Sequence, residues 1–514
     1  MMQITWKRLG TFFLLALVIL FFVSPNSYTH DLFDQYDTAC FFTCGKAWMC
    51  GMTPYVDFAD SKGPLLWLIY GVGYLLSPYN YIGVFWLSVL AYTGVFYYVF
   101  SIARLFLNDD RKSLLVTVLM LLSFFCPWFH YEVRAEDWCQ IFIAMTFYYC
   151  CRWLYADQAK TPKKCYQACF VLGISLAATL LIKYTITAML GVVAIYMLYV
   201  IIRQRTNLFF SFLFLLSGFA LVTLPFIIYM LVVGNFGAFI QEYFLNTLQT
   251  VQSSNSTGVY LHEWLRLTGD ARFAILFIIG CVGAYLMGKM VEKDKYFVII
   301  SFLVFYAIAI HHCDDIIPYY LCACLLFPLF FIIPIVSITE ISLKFRKLLF
   351  AFSFCTTIFV NAFSHGWLLS VWFFRDNDAR ADYYNIAYIM SNINNPTIVH
   401  YMASENGRGL PVGTLPGTKY WAYQLGASDE MIKDQENSIK AQKSDFVVIN
   451  DWHPGISKRD SLLRVSNYRI IYQYSWHDVN FKLFTKHSNL HIPPTDFHVS
   501  NMDVLLKRNI FNNH

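Results

Sequence analysis

A polytopic α-helical membrane protein of about eleven transmembrane helices, closed by a small water-soluble α/β domain, is the architecture this sequence predicts. Three observations predict it. Apolar residues make up 57% of the 514 positions and charged residues only 14%, against roughly 45–50% and about 25% in soluble domains. The apolar residues fall in long runs, and a bilayer core of about 30 Å is crossed by roughly 20 helical residues. The charges change density near Arg375: residues 1–374 hold 23 of the 38 Lys and Arg, and the remaining stretch holds 15. A soluble enzyme, a disordered chain and a nucleic-acid module are excluded, because the first three quarters of the chain lack the polar side chains to cover a surface, and a net charge of +5 spread thinly over this length marks no anion-binding surface.

The spans are expected at about 8–24, 82–106, 113–128, 138–153, 167–182, 184–202, 207–232, 271–289, 296–311, 318–338 and 348–374. The first begins with Lys7-Arg8 but lacks a small-x-small cleavage site, so it reads as an uncleaved span rather than a signal peptide. Pro64–Leu76 is apolar but too short to cross, which suits a re-entrant or interfacial helix. With the N-terminus in the cytoplasm, alternation places 17 basic residues inside, among them Arg104, Arg111, Lys112, Arg152, Arg203, Lys289 and Arg346. Six fall outside: Lys46, Lys62, Arg134, Lys183, Arg266 and Arg272. This is the expected positive-inside bias. Acidic residues gather at the external ends of spans instead, which points to a polar external site.

On this reading, residues 1–374 form the membrane domain, with a first external loop at 25–81 and a second at 129–137, and 375–514 form the extracytoplasmic domain. Short β-branched runs at Pro396–His400, Phe446–Asn450, Tyr468–Tyr474 and Asn480–Thr485 read as strands, with a charged helix between Asp429 and Lys443. The 14 cysteines all lie between Cys40 and Cys355, in no zinc spacing. Cys150, Cys151, Cys322 and Cys324 fit apolar packing, whereas Cys40, Cys44 and Cys50 leave pairing open. No strand–GxGxxG–helix context for a nucleotide is present.

The first external loop carries the most chemistry. It runs Phe33-Asp-Gln-Tyr-Asp37 into an amphipathic stretch containing Gly45-Lys46, then Gly51-Met-Thr-Pro-Tyr55-Val-Asp57, then Asp60-Ser-Lys62-Gly-Pro64. The second holds Glu132-Val-Arg134-Ala-Glu136-Asp137, and Lys183 stands in the turn between two spans. In these elements, and in the order of spans followed by a terminal domain, the chain resembles the membrane glycosyltransferases that use polyprenyl-phosphate sugars, in the branch of protein O-mannosyltransferases and lipid A aminoarabinose transferases.

The resemblance implies transfer of a monosaccharide from a polyprenyl-phosphate donor to a glycan, lipid or protein acceptor on the extracytoplasmic face of a bacterial inner membrane. It matches Asp37 to the catalytic first-loop aspartate, and Asp60 and Lys62 to the Asp-His-Lys element, with Ser61 replacing the usual histidine. It matches Glu136 and Asp137 to the second-loop acidic pair. A carboxylate is the right group to take a proton from an acceptor hydroxyl, and one that never bonds to the sugar inverts the anomeric centre. Lys62, Lys183 and Arg134 are the cations placed for a leaving phosphate. Tyr55, His311 and Asp314 are weaker candidates for substrate or metal, and the carboxylates leave a divalent metal open. The partners expected are the lipid-linked donor, the acceptor and the bilayer, with no nucleic acid.

Each residue also has a plainer local reading. Asp37 suits the N-cap of a helix starting at Thr38. Asp60 and Lys62 suit an interfacial ion pair, and Lys183 a side chain snorkelling from between two spans. His311-His312-Cys313-Asp314-Asp315 suits a polar turn. A transporter or flippase for a lipid-linked glycan is the alternative function, and it calls for ionisable or helix-breaking positions at mid-membrane and for internal repeats.

Overall fold

The computed structural model describes residues 6–27, 36–126, 134–155, 161–246, 271–291, 300–301, 303–307, 318–338, 340, 342–364, 385–403, 413–422, 428–451, 456–476 and 479–490. Contacts divide the chain into two compact units. One gathers residues 1–29, 87–229 and 251–369; the other gathers 30–86, 230–250 and 370–514. The boundary near 375 divides the chain by composition, and this division by contact recruits two earlier pieces of chain to the terminal domain.

The first unit is helical. It contains α1 (Trp6–Val23), α4 (Ile82–Leu107) from residue 87 onward, α5 (Asp110–Leu119), α6 (Leu121–Phe124), α7 (Ala135–Tyr155), α8 (Pro162–Ile182), α9 (Tyr184–Arg203) and α10 (Leu208–Val233). The helices Ala271–Met290, Leu329–Ile338 and Leu343–Ser364 complete its long elements. Among the described residues, six helical stretches are long and apolar enough to cross a membrane: α1, α4, α8, α9, α10 and Leu321–Ile338. The protein is an integral membrane protein. Helix α10 is apolar all round, and only 17% of its most apolar stretch is buried by protein, so lipid is the solvent that suits the rest. Its approach to α8 is very close: a Cβ on Gly173 would stand 2.0 Å from the Leu215 carbonyl oxygen, and one on Gly218 would stand 2.0 Å from that of Phe170. Small residues let membrane helices touch backbone to backbone, where dispersion rather than water exclusion drives packing.

The run expected as one span over 113–128 folds as two helices, α5 and α6, parted at Met120. Side chains tie α6 to other segments of the unit. Asn361 Nδ2 donates to Phe125 O (2.7 Å), and the Ser123 hydroxyl donates to Leu325 O (2.9 Å). Asp109 caps α5 by accepting from the N–H groups of Arg111 and Lys112. Asp110 binds both Arg8 (2.7 Å) and Arg104 (2.5 Å), tying α1 and α4 to α5. The expected 296–311 span is described only at residues 300–301 and 303–307, which are helical.

The second unit joins α2 (Tyr36–Met49), α3 (Pro64–Leu76), α11 (Phe236–Phe239) with a π-helical turn at Ile240–Asn246, and the terminal α/β fold. Helix α3 has the bounds read from the sequence, with Pro64 at its first turn, where a missing N–H costs nothing. Five strands form one sheet in the order β2-β1-β3-β5-β4: β1 Thr397–His400, β2 Leu415–Pro416, β3 Phe446–Asn450, β4 Arg469–Trp476 and β5 Val479–Thr485. Pairings of β1 with β2 and β3 are parallel; those of β5 with β3 and β4 are antiparallel. Helices Asp429–Lys440 and Ile456–Val465 complete the α/β pattern, and Val399, Ile439, Val447, Ile449, Leu463 and Phe484 form its core. Strand β2 alone among the five was not foreseen; two residues give no alternation to read.

Candidate functional site

In the second unit, Asp37 lies in the first turn of α2, one residue inside the helix rather than at its cap, and is partly exposed. A carboxylate there is favoured by the helix dipole. Phe41 follows one turn later, on the same face. The Lys62 ammonium lies over the Phe41 ring, 5.8 Å from its centroid, and Phe41 packs edge-on against Tyr70 of α3. A cation over a ring face is held by the ring quadrupole. The sequence-predicted cation thus lies against α2 one helical turn after the sequence-predicted carboxylate.

The backbone carrying Asp60 and Lys62 is held along its length. Tyr55 N donates to Phe58 O (2.7 Å), and Thr53 N donates to the Asp57 carboxylate (2.6 Å), closing the turn opened by the Gly-x-x-Pro-Tyr pattern. Tyr55 sits at φ +65°, a left-handed conformation that costs a bulky residue free energy and persists only where surroundings enforce it. Its ring is fully buried between Trp67 (4.6 Å) and Phe239 (5.3 Å), and its hydroxyl donates to Lys62 O at 3.0 Å. Burial, followed by the neighbouring Tyr243, Asp60, Cys44 and Glu242, pushes that hydroxyl well above the usual tyrosine range. It therefore stays protonated and donates.

Asp60 is 7% exposed. Its Oδ1 accepts from Ser61 N (2.6 Å) and the Ser61 hydroxyl (3.3 Å), while Oδ2 is buried with no hydrogen-bond partner among the described residues. A buried carboxylate oxygen left bare costs free energy unless something binds it. Ser61, where the resemblance expects histidine, also accepts from Lys62 Nζ at 3.0 Å.

Several residues here were not singled out by the sequence. Asn235 Nδ2 donates to Pro54 O (2.8 Å). Glu242, 7% exposed in the π-helical turn, binds Lys419 Nζ (2.5 Å), Asn246 Nδ2 (2.9 Å) and the Tyr420 hydroxyl (2.8 Å). Ala59 N donates to Lys419 O (2.9 Å). Lys46, 2% exposed, lies over the Tyr74 ring at 5.9 Å. Gly413 sits at φ +67°, a conformation that favours glycine, and a Cβ there would stand 2.5 Å from the Lys46 Nζ and displace the end of that side chain. Glu242 left a trace in the sequence as one of the acidic residues at external span ends, and Lys46 as an external basic residue in the first loop.

In the first unit the second-loop carboxylates are buried at the start of α7, Glu136 at 2% and Asp137 at 5% exposure. Asp137 accepts from the Tyr92 hydroxyl (2.9 Å) and from Arg134 N (3.0 Å). Glu136 is paired with Lys183, which stands in extended conformation between α8 and α9. Lys183 therefore turns into the protein instead of snorkelling outward. Gln140 Nε2 adds a bond to Cys322 O at 2.7 Å. Cys150, Cys151, Cys322 and Cys324 are buried, and among the described residues none of these nor Cys40, Cys44 or Cys50 forms a disulfide. His311 and Asp314 lie outside the described residues, as does Glu132. Among the described residues, no three His, Cys, Asp or Glu side chains are grouped to hold a metal ion.

Residues 47–239 match the dolichyl-phosphate-mannose-protein mannosyltransferase family. That interval includes Tyr55, Asp60, Lys62, Arg134, Glu136, Asp137 and Lys183; Asp37 precedes it. The fold is matched over far more of the chain. The crystal structure of ArnT from Cupriavidus metallidurans bound to undecaprenyl phosphate superposes with a TM-score of 0.62 at 12% identity, covering 95% of this chain and 99% of that one. This chain has the class C membrane glycosyltransferase fold. The apo structure of the same ArnT gives a TM-score of 0.60 at 11% identity, covering 94% and 98%. No curated protein matches the sequence. The family resemblance drawn from the first-loop motifs is met, glycosyltransferase is the enzyme class these findings carry, and the transporter or flippase alternative is not favoured.

Proposed function

We propose that this glycosyltransferase moves one sugar from a polyprenyl-phosphate donor to a glycan, lipid or protein acceptor at the extracytoplasmic face, with inversion. The observation that supports this reading is the Lys62 ammonium over the ring of Phe41, which stands one helical turn after Asp37 in α2. Asp37 takes the acceptor hydroxyl proton as the new glycosidic bond forms at the anomeric carbon and the bond to the polyprenyl phosphate breaks. Lys62 stabilises the charge that develops on the departing phosphate, as a fixed cation does best in a site shielded from water. Arg134 and Lys183 are the further cations assigned to that phosphate. Asp60, Glu136 and Asp137, with Tyr55, serve substrate binding or, for the carboxylates, a divalent metal. His311 and Asp314 belong to the same assignment from the sequence.

This reading includes eleven spans with a cytoplasmic N-terminus, a membrane domain to residue 374, an extracytoplasmic α/β domain from 375, and residence in a bacterial inner membrane. The basic residues at cytoplasmic ends support that orientation. A lipid donor suits the fold, since its chain stays in hydrocarbon while its head group reaches the polar residues. The test is transfer from a panel of radiolabelled polyprenyl-phosphate sugars in membranes holding equal amounts of wild type and Asp37→Asn. Label moved by the wild type and lost in the variant supports the reading. Equal transfer by both rejects Asp37 as the base.

A further inference from the structure

The element carrying Asp60 and Lys62 is gripped by residues far away in sequence, all of them in the second unit. Two hydrogen bonds and one ring contact reach the element, and Glu242 ties together the residues that make them. Asn235 holds Pro54 O at 2.8 Å, and Phe239 packs on Tyr55 at 5.3 Å. Lys419 O accepts from Ala59 N at 2.9 Å, directly before Asp60. The side chains of that same Lys419 and of Tyr420 converge on Glu242, one π-helical turn beyond Phe239. Phe239 stacks in turn on Tyr243 at 5.9 Å. Glu242 thus links the two arms: the segment 235–246, which holds residues 54–55, and the turn 419–420, which holds residue 59.

The energetics favour a device that stays closed. Glu242 is buried at 7% exposure and its two oxygens receive an ammonium, a phenol and an amide. Charge-assisted bonds in a shielded setting are about twice as strong as neutral ones. Removing the carboxylate charge strands a lysine that is only 27% exposed, and a stranded buried partner costs more than the bond itself contributed. Burial, then the bond to Glu242, raises the Tyr420 hydroxyl above the usual range, so it remains a donor at any physiological pH. A π-helical turn is a less stable backbone than an α-turn and is retained where a side chain must be aimed. The aim here is inward, at the 419–420 turn.

We propose that segment 235–246 and the 419–420 turn form a clasp that fixes the backbone bearing Asp60 and Lys62, with Glu242 as a positioning residue for the donor phosphate. The inference rests on the assignment of Lys62 to that phosphate; the clasp itself does not. It gives the terminal domain a task in donor binding, through one turn, at a site it does not need to touch.

Two readouts separate the clasp from the function it serves. Hydrogen–deuterium exchange of the full-length protein is followed over peptides covering residues 53–62 and β3, in wild type, Glu242→Gln and Tyr420→Phe. Equilibrium binding of undecaprenyl phosphate is measured in the same preparations, with Lys62→Met beside them. The clasp predicts faster exchange confined to residues 53–62 in both variants, β3 staying protected, with binding roughly tenfold weaker in Glu242→Gln, the size of one lost charge-assisted bond. Unchanged exchange at 53–62 in both variants overturns the clasp. If Glu242→Gln exchanges fast everywhere, the milder Tyr420→Phe, which removes a single hydroxyl, decides. Faster local exchange with wild-type binding, while Lys62→Met binds weakly, overturns the positioning role. Wild-type binding by Lys62→Met instead overturns the assignment of Lys62, and leaves the exchange result to judge the clasp.

Discussion

The buried carboxylates of the two units differ in how they are satisfied. Glu136 and Asp137, at the start of α7, have a cation, a phenol and a backbone N–H among their partners. Asp60 in the second unit is as deeply buried, yet one of its oxygens has no partner among the described residues, and Asp37 on α2 is partly open. A satisfied acidic pair is stable as it stands and holds helices in place; a bare buried oxygen is a free-energy cost that a ligand relieves. The difference teaches that acidic residues placed alike by sequence need not do alike. By this measure the first unit's pair already has its partners in place, and a ligand for it must compete with them, whereas Asp60 of the second unit has an oxygen for which no partner is described.

The largest effect expected is on activity. Asp37→Asn keeps the shape and the helix position but removes the base, and transfer should fall by about 10²–10⁴-fold in an initial-rate assay with protein level unchanged. Next comes stability in the first unit. Lys183→Met leaves Glu136 as an unpaired buried charge, a loss of about 3–5 kcal/mol. Replacing both, Lys183→Met with Glu136→Gln, should cost much less than the sum of the single changes. Thermal unfolding in detergent of the four proteins measures this coupling, and strict additivity would contradict a buried pair.

Asp60→Asn sharpens the contrast. Its amide oxygen can keep the bonds from Ser61, so stability should move by less than about 1 kcal/mol, while transfer falls at least tenfold. Melting that drops as sharply as activity would make Asp60 a structural carboxylate like Glu136.

The smallest effect lies in the terminal domain. Burial pushes the Asp445 carboxyl up, but the Thr397 N–H and hydroxyl, His487 and Lys486 more than offset it, and the group ends below the ordinary carboxylate range. A depressed folded value means stability that is full above the unfolded value near pH 3.9 and is lost as pH falls through the folded one. Acid titration of Asp445→Asn should therefore show a shallower loss of stability below about pH 4 than wild type.

How much of this was legible in the sequence follows from range. Helix α3, helix Asp429–Lys440 and four of the strands were readable because their signals are local: a proline start, a charged amphipathic run, β-branched residues between turns. The break at Met120 was not, since the run is apolar on both sides of it and the bonds that tie α6 in place, from Asn361 to Phe125 O and from Ser123 to Leu325 O, join residues more than 200 positions apart. The same holds for the site. Asp37, Tyr55, Asp60 and Lys62 stand in one short loop whose motif can be recognised. Glu242, Lys419 and Asn235 act on this loop through contacts made across 177 or more residues, and nothing in their neighbours' sequence announces that.

The most direct test of the central claim, that α2 carries the base and Lys62 lying against it is the phosphate cation, is to measure binding and transfer in the same preparations. Asp37→Asn and Lys62→Met are compared with wild type for equilibrium binding of undecaprenyl phosphate and for single-turnover sugar transfer. The account predicts that Asp37→Asn binds the lipid phosphate as wild type does and fails to transfer, while Lys62→Met binds it weakly. Wild-type transfer by Asp37→Asn, or wild-type binding by Lys62→Met, would contradict it.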